Sequence, residues 1–140
     1  MGILDRYLAY ARAFEETYED DDWSRIEPYF TSGAVYEGDP AAKGRAAVLA
    51  KLKSGVDNFD RRMDSRTPDF QKPTVEGDTL RMTWRVTYTK AGLPDLVISG
   101  VETAVLEGDR IALLRDDFTP EGQRAMTDWM TKHGASLRGG

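Results

Sequence analysis

The sequence predicts an α+β fold, in which helices and strands occupy separate stretches of the chain. Apolar residues recur at helical spacing as far as about residue 59, and from Asp64 onward the spacing changes to two. Turn residues divide this second stretch into segments of strand length, as in an antiparallel meander. With 140 residues, the chain is expected to form a single domain, 1–140, with its own apolar core.

The first helix is predicted from an apolar stripe that extends over about four turns. The stripe consists of Leu4, Tyr7, Leu8, Ala11, Phe14 and Tyr18. The acidic run 19–22 ends this helix, and Asp21 or Asp22 can cap a second short segment. Because Pro28 lies inside that second segment, we expect it to be short, kinked or partly 3₁₀.

The middle of the chain is predicted to hold a brief strand over 34–37 and then a third helix, which Gly55 weakens. The apolar stripe of this helix consists of Val48, Leu52, Val56 and Phe59. Four strands follow, and we place them at roughly 64–75, 79–90, 95–107 and 110–118.

The last helix is predicted from its start and stop signals. Thr119 is the expected cap and Pro120 the first residue. Gly134 is expected to end the helix.

The strand over 95–107 is apolar on both of its faces. One face carries Leu96, Ile98, Ala104 and Leu106, and the other carries Val97, Val101 and Val105. An antiparallel sheet with one solvated face should alternate between apolar and polar residues. Since the helices can cover only one face, the second apolar face predicts a partner, most simply a second copy in a two-fold homodimer.

Charge and composition exclude several classes of partner. The net charge is −5, which disfavours binding to nucleic acid or to an anionic membrane. The absence of cysteine excludes disulfides and a thiol nucleophile. No apolar run has the length of a membrane span and the start lacks the basic residues of a signal peptide, so we expect a cytoplasmic protein.

The motifs of cofactor and nucleophile chemistry are also missing. The one histidine, His133, lies near the end of the last helix, which excludes a Ser–His–Asp triad and a histidine metal site. There is no glycine-rich nucleotide loop, so no cofactor is predicted. Two kinds of function remain: acid–base chemistry by carboxylates and tyrosines, or ligand binding without reaction.

The stretch from 30 to 48 carries a family resemblance. Residues 30–40 read Phe-Thr-Ser-Gly-Ala-Val-Tyr-Glu-Gly-Asp-Pro, and Gly44-Arg45 then opens a helix. This order resembles the nuclear transport factor 2-like (NTF2-like or SnoaL-like) superfamily, which includes ketosteroid isomerases, polyketide cyclases and limonene epoxide hydrolases. The resemblance implies a cone-shaped roll, with three to four helices packed in the concave face of a curved, mainly antiparallel sheet. It also implies a hydrophobic pocket for a small apolar or carbonyl-containing ligand.

Asp39 is the first candidate catalytic residue. In ketosteroid isomerases an Asp-Pro pair at this place supplies the general base, so the resemblance implies that role for Asp39, which precedes Pro40. The alternative is a simple turn, since both residue types favour turns for local backbone reasons. Glu37, two residues earlier on the strand, is the alternative base.

Glu102 is the second candidate, in the middle of a strand and among apolar neighbours. A carboxylate there must be paired or have a raised pKa. Counted back from Gly108, it stands where ketosteroid isomerases hold a protonated aspartate that hydrogen-bonds the developing oxyanion, so the resemblance implies an acid. The alternative is a buried ion pair with Arg85 or Arg115.

The resemblance to ketosteroid isomerases breaks on the first helix. Those enzymes carry a tyrosine there as the second oxyanion donor, and Phe14, at the matching position, cannot donate a hydrogen bond. Tyr18 and Tyr36 are the alternative donors.

The two other family chemistries match less well. Epoxide hydrolases use an Arg-x-Asp and a second aspartate, but here Thr87 follows Arg85 and Thr119 replaces the second aspartate, which excludes that mechanism. SnoaL-type polyketide cyclases use an acidic residue in the same cavity, and Asp117 is the candidate for it.

Aromatic and basic residues are the remaining candidates for ligand contact. The aromatic ones, expected either to line the cavity or to fill the core, are Phe14, Trp23, Tyr36 and Trp84. Arg85 and Arg115 are expected to face inward and to bind a carboxylate or enolate. Their alternative role is pairing with Glu102, Asp116 or Asp117.

The sequence therefore favours a cofactor-independent enzyme of isomerase or cyclase type. In this hypothesis Asp39 abstracts a proton from an apolar carbonyl compound, and protonated Glu102 stabilises the enolate. The alternative is a non-catalytic ligand-binding or dimerisation module of the same fold.

Overall fold

A computed structural model describes residues 2–38 and 40–138, and within them the chain forms three α-helices and seven strands. The helices are α1 (Ile3–Asp20), α2 (Arg45–Asn58) and α3 (Pro120–Arg138). The strands are β1 (Phe30–Tyr36), β2 (Ala42–Lys43), β3 (Ser65–Phe70), β4 (Thr74–Glu76), β5 (Thr79–Thr89), β6 (Leu96–Glu107) and β7 (Arg110–Phe118). Short 3₁₀ turns occupy Trp23–Arg25, Glu27–Tyr29 and Asp60–Arg62.

The strands form one curved sheet in the order β2-β1-β7-β6-β5-β3, and β4 pairs with the same strand as β3. All strand pairs are antiparallel except β1 with β7, which run parallel. The predicted meander accounts for β5, β6 and β7. A strand at 34–37 was predicted, but its parallel pairing with β7 was not, because pairing between segments about 80 residues apart leaves no mark on local periodicity.

Most predicted elements agree with the structure, but β1 begins at Phe30 rather than at 34 and β2 was not predicted. The segment 64–75 is divided into β3 and β4, and Pro73, which has no N–H for a strand ladder, lies in the gap. Pro28 lies in a 3₁₀ turn, as expected. The prediction that Gly134 ends the last helix is wrong, since α3 continues to Arg138. Gly134 does not adopt the left-handed conformation that would end a helix; it is buried beside Met130.

Two apolar clusters hold the helices on one face of the sheet, which we call the inner face. The larger cluster joins α1, α2 and the centre of the sheet, and its fully buried side chains include Tyr7, Ile26, Phe30, Val48, Leu80 and Leu114. The smaller cluster joins α3 to β5 and β6 through Trp129, whose indole N–H donates to the Pro94 carbonyl at 2.9 Å. Consequently α3 closes one end of the inner face.

The opposite, outer face of the sheet carries the second apolar surface that the sequence predicted. Val97 is 44% exposed there, and Val101 and Val105 keep part of their surface accessible. No helix in 2–38 or 40–138 combines the length and the apolar character needed to cross a membrane.

Candidate functional site

A pocket of about 360 Å³ lies between the inner face of the sheet and the three helices. Its walls are rich in aromatic side chains, which include Tyr10, Phe14, Phe59, Phe70, Trp84 and Phe118. Carboxyl groups enter this apolar space at two places, one between β6 and β7 and one beside β3. An apolar pocket with a few convergent polar groups is the usual form of a small-molecule site.

The first place is a pair of carboxyl groups on neighbouring strands. Glu102 on β6 and Asp116 on β7 are directly opposite each other in the antiparallel register, and both line the pocket. Alternation along β7 turns Leu114 and Asp116 inward and leaves Arg115 exposed. Side chains paired in this way lie about 5 Å apart at Cβ, close enough for the carboxyls to interact directly.

Two tyrosines hold this pair, one at each end. The hydroxyl of Tyr7, fully buried on α1, donates a hydrogen bond to Oε2 of Glu102. The hydroxyl of Tyr36, at the end of β1, donates to Oδ2 of Asp116 at 2.7 Å. The four groups therefore form a continuous chain, Tyr7–Glu102–Asp116–Tyr36, along one wall of the pocket.

Burial and mutual repulsion make one proton in this chain hard to remove. Desolvation, followed by the negative charge of Asp116, raises the pKa of Glu102 well above that of a free glutamate. Desolvation also raises the pKa of Asp116, but hydrogen bonds from Tyr36 and Glu102 oppose that rise. We therefore place the shared proton on Glu102 and the negative charge on Asp116.

This arrangement predicts that stability falls as pH rises. Since the folded pKa of Glu102 is raised, the folded state holds its proton more tightly than the unfolded state does, and the stabilising effect is lost as pH increases through the folded pKa. Thermal unfolding at about pH 5 and about pH 9 should show a larger decline in Tm for the wild type than for Glu102→Gln, which cannot ionise. Equal declines in Tm for the wild type and for Glu102→Gln would contradict the placement of the proton on Glu102.

Trp84 forms the floor of the pocket beside the carboxyl pair. Its indole Nε1 is buried and makes no hydrogen bond of normal geometry, although the N–H lies close enough to Asp116 to lower the pKa of that carboxyl. Gly100 allows this position: a Cβ there would lie 2.8 Å from Cε2 of Trp84 and 2.5 Å from the Asp117 carbonyl oxygen. The Trp84 ring therefore lies against the strand backbone, with its buried N–H beside Asp116.

The second place is a group of charged side chains that we call the Arg66 cluster: Glu15 on α1, Asp60 after α2, and Arg66 on β3. The Arg66 guanidinium lies 2.6 Å from Oε1 of Glu15 and 3.0 Å from Oδ2 of Asp60. Tyr88 on β5 donates to the same Asp60 oxygen at 3.2 Å. Desolvation raises the pKa of Asp60, and Arg66 opposes this rise.

Four of the predicted site residues line the pocket: Phe14, Tyr36, Trp84 and Glu102. Trp23 does not line it but packs behind Phe14, with ring centroids 5.9 Å apart. Asp39 lies outside the described residues. Glu37, its alternative as the base, lies 3.5 Å from Arg115, outside the pocket lining.

The other three predicted residues face away from the pocket. Arg85, Arg115 and Asp117 are exposed on the outer face, so the expectation that the two arginines face inward is wrong. Arg115 pairs with Asp117 at 2.8 Å, and neither arginine pairs with Glu102. The physical reason is strand alternation, which turns the neighbours of inward residues outward.

Asp116 and Tyr7 were not predicted as site residues from the sequence. Alternation counted from the apolar Leu114 would have indicated Asp116 rather than Asp117 as the inward carboxyl. Tyr7 lies two helical turns before Phe14 on the same stripe, but a tyrosine on an apolar stripe gives no sign that its hydroxyl meets a carboxyl.

Comparison with known proteins supports the fold. The sequence model of the SnoaL-like domain family matches residues 11–114. No curated protein sequence matches the chain significantly.

Solved structures share the fold over nearly the whole chain. A proposed SnoaL-like polyketide cyclase from Jannaschia sp. is 16% identical, with a TM-score of 0.68 over 92% of this chain and 94% of that one. An NTF2-like protein of unknown function from Burkholderia pseudomallei is 12% identical, with a TM-score of 0.67 over 90% and 98%. TerC, crystallised with polyporic acid, is 10% identical, with a TM-score of 0.66 over 90% and 98%.

Proposed function

Because the chain belongs to the SnoaL-like domain family, we propose that its pocket binds a small, mostly apolar carbonyl compound and catalyses proton transfer on it without a cofactor. The observation that carries this proposal is the pair of neighbouring carboxyls, Glu102 and Asp116, in an apolar pocket. Two carboxyls whose surroundings separate their roles, one neutral and one charged, are typical of acid–base sites.

The proposed reaction starts with loss of a proton from the carbon beside the carbonyl. The Asp116 carboxylate accepts this proton, and the C–H electron pair forms the carbon–carbon double bond of the enolate. The carbonyl oxygen takes up the displaced electron pair. It is stabilised by protonated Glu102, whose O–H turns from Asp116 to the ligand oxygen once Asp116 has taken up the substrate proton. Return of the proton to the same or another carbon completes an exchange or an isomerisation.

Tyr7 and Tyr36 position the two carboxyls in this proposal. Each donates its hydroxyl hydrogen to one acid, which fixes the carboxyl orientation and leaves the remaining oxygens for the ligand. Tyr7 thereby takes a different role from the oxyanion-donating tyrosine of the ketosteroid isomerases, since its hydroxyl is engaged by Glu102. Asp39 stays the base that the family resemblance predicts, and comparison of Asp39→Asn with Asp116→Asn decides between the two.

The structural neighbours are consistent with this class of ligand. One is described as a proposed polyketide cyclase, and another was crystallised with polyporic acid. At these identities the neighbours support only the class of pocket, and no particular substrate follows from them.

Proton exchange on a simple ketone tests the proposal without knowledge of the natural substrate. In deuterated water, 4-acetylbiphenyl should lose its acetyl proton signal faster with the protein than in buffer alone, as followed by NMR. The protein heated beyond unfolding is the control. A ligand that binds without any gain in exchange would instead favour the non-catalytic binding module.

A homodimer through the outer face completes the proposal. The exposed Val97 and the half-buried Val101 and Val105 give this face an apolar strip that a second copy would cover about a two-fold axis.

Light scattering during size-exclusion chromatography should therefore give twice the mass of one chain. Val101→Glu should shift the protein towards the monomer, because a carboxylate buried at the dimer interface would be unpaired. Gln123→Glu, which adds the same charge at an exposed site on α3, should leave the mass unchanged. A wild type that elutes as a monomer would rule out the dimer.

A further inference from the structure

We infer that the Arg66 cluster is a second polar binding point in the pocket, which accepts a neutral hydroxyl group at the end of the ligand opposite its carbonyl. This inference rests on the proposed function of the pocket, and it adds to that function the shape and the second functional group of the ligand. No catalytic role follows for the cluster.

The cluster is a built site rather than a surface ion pair. The Arg66 side chain is 8% exposed and that of Asp60 is 17% exposed, while both line the pocket. The Nε of Arg66 lies 3.0 Å from Asp60 but makes no hydrogen bond, so this buried N–H has an unused donor capacity. Buried polar groups are rarely left without a hydrogen-bond partner, so the two carboxylates do not fully satisfy the guanidinium.

The cluster lies at the opposite end of the pocket from the Glu102–Asp116 pair. On β5, the residue opposite Glu102 is Met82, and the residue opposite Arg66 is Tyr88. Six residues of strand separate these two positions, which corresponds to about 20 Å between the backbone atoms.

The helix gives a second and shorter estimate, because α1 crosses the pocket beside the side chains rather than along the strand backbone. Tyr7 contacts Glu102 and Glu15 contacts Arg66, and both residues belong to α1. Eight helical residues correspond to a rise of about 12 Å. Since side chains from both ends point into one pocket, the two polar points lie on the order of 10 Å apart.

The wall between the two points is apolar. It is formed by uncharged residues, which are Tyr10, Ala11, Phe14, Leu52, Phe59 and Val86. A ligand that reaches both ends must therefore have an apolar body, such as two joined or fused rings, with one polar group at each end.

The charges of the Arg66 cluster determine which kind of ligand group can bind there. One guanidinium between two carboxylates gives a net negative charge, which disfavours an anionic ligand group. A ligand cation would have to lie beside Arg66 and would be repelled by it. A neutral hydroxyl avoids both costs, because it donates to a carboxylate and accepts from the guanidinium.

The cluster also has a structural role, and the test must separate the two roles. It joins α1, the end of α2 and β3, and the Arg66 guanidinium lies 5.0 Å from the centre of the Tyr18 ring. A purely structural cluster would affect stability but would not distinguish between ligands that differ by one hydroxyl.

The experiment compares 4-acetyl-4′-hydroxybiphenyl with 4-acetylbiphenyl, which lacks the hydroxyl. Dissociation constants are measured by ligand-observed NMR titration, and acetyl proton exchange is followed in the same samples. We expect the wild type to bind the hydroxylated probe about tenfold more tightly, the usual effect of hydrogen bonds to charged groups. Equal affinity for the two probes would overturn the inference and would leave the proposed function intact.

Variants assign the preference to the cluster. Glu15→Gln and Asp60→Asn keep the size of each side chain and remove one negative charge, so each should reduce the preference to about threefold or less. Glu16→Gln is the matched control, because Glu16 is the next residue of α1 and its side chain is 68% exposed. The use of two variants keeps the test valid if one of them fails to fold.

The outcomes separate the two proposals. A hydroxyl preference without proton exchange would overturn the proposed catalysis and support the binding point. If Glu15→Gln and Asp60→Asn both keep the full preference for the hydroxylated probe, the preference does not come from the Arg66 cluster and the inference is overturned. Failure of both probes to bind would overturn the ligand pocket and the binding point together.

Discussion

Removal of either carboxyl of the buried pair is expected to reduce the rate of acetyl proton exchange by about 10²–10⁴-fold, the range that a positioned acid or base typically contributes. Asp116→Asn removes the proposed base and Glu102→Gln the proposed acid, and both replacements keep the size of the side chain. Because the two groups share one proton, the double variant should lose little more than either single one.

Asp117→Asn is the matched control for this series. Asp117 is the next residue of β7, carries the same functional group and is exposed on the outer face, so its replacement should change the rate by less than about twofold. A loss below tenfold for both Asp116→Asn and Glu102→Gln would contradict the acid–base proposal.

Asp39→Asn decides which carboxylate is the base. If the family resemblance identifies the base correctly, this variant should also lose at least about 10²-fold. If Asp116 is the base, Asp39→Asn should retain most of the activity, as expected for a residue in a turn.

Gly122→Ala is expected to destabilise the protein by about 1–3 kcal/mol and to loosen the attachment of α3. The backbone of α3 packs directly on β6 here, and a Cβ at Gly122 would lie 2.7 Å from the Ser99 amide nitrogen. Neither backbone can yield as a flexible side chain would, so the helix must move away. Because α3 contributes Met126 to the pocket wall, probe binding should weaken as well.

Gly55→Ala is the matched control, and it should stabilise the protein where Gly122→Ala destabilises it. Gly55 lies within α2, and a Cβ there would meet no heavy atom within 4 Å. The same substitution should therefore stabilise the protein by up to about 1 kcal/mol through helix propensity. Urea unfolding measures both variants, and a Gly122→Ala protein as stable as the wild type would contradict the close packing of α3.

The helices and most of the strands could be predicted because their signals are local. The apolar stripe of α1, the period-two alternation of β5 and the Thr119–Pro120 start of α3 each depend on neighbouring residues. The cap was correct in detail, since the Thr119 hydroxyl accepts a hydrogen bond from the Gly122 amide at 3.0 Å. The parallel pairing of β1 with β7 could not be predicted in this way, because it depends on tertiary contacts.

The candidate site was only partly predictable. Glu102 was identified because a carboxylate among apolar strand residues is conspicuous in the sequence. Its partner was missed, since adjacent acidic residues such as Asp116 and Asp117 are distinguished only by which face of the strand each occupies. Nothing in the sequence distinguishes Arg66 from a surface charge, but the fold buries it on β3 against Glu15 of α1.

The sequence by itself determined the order of elements, the family and the presence of a buried acid at Glu102, because residue type and periodicity carry that information. Only the tertiary structure decided that Asp116 is the partner of Glu102, that Tyr7 and Tyr36 hold the pair, and that Arg66 lies at the other end of the same pocket. The physical reason is that burial and pairing depend on strand register and helix packing. These bring together residues about 100 positions apart in the chain, and they change the pKa of a carboxyl without any local signal.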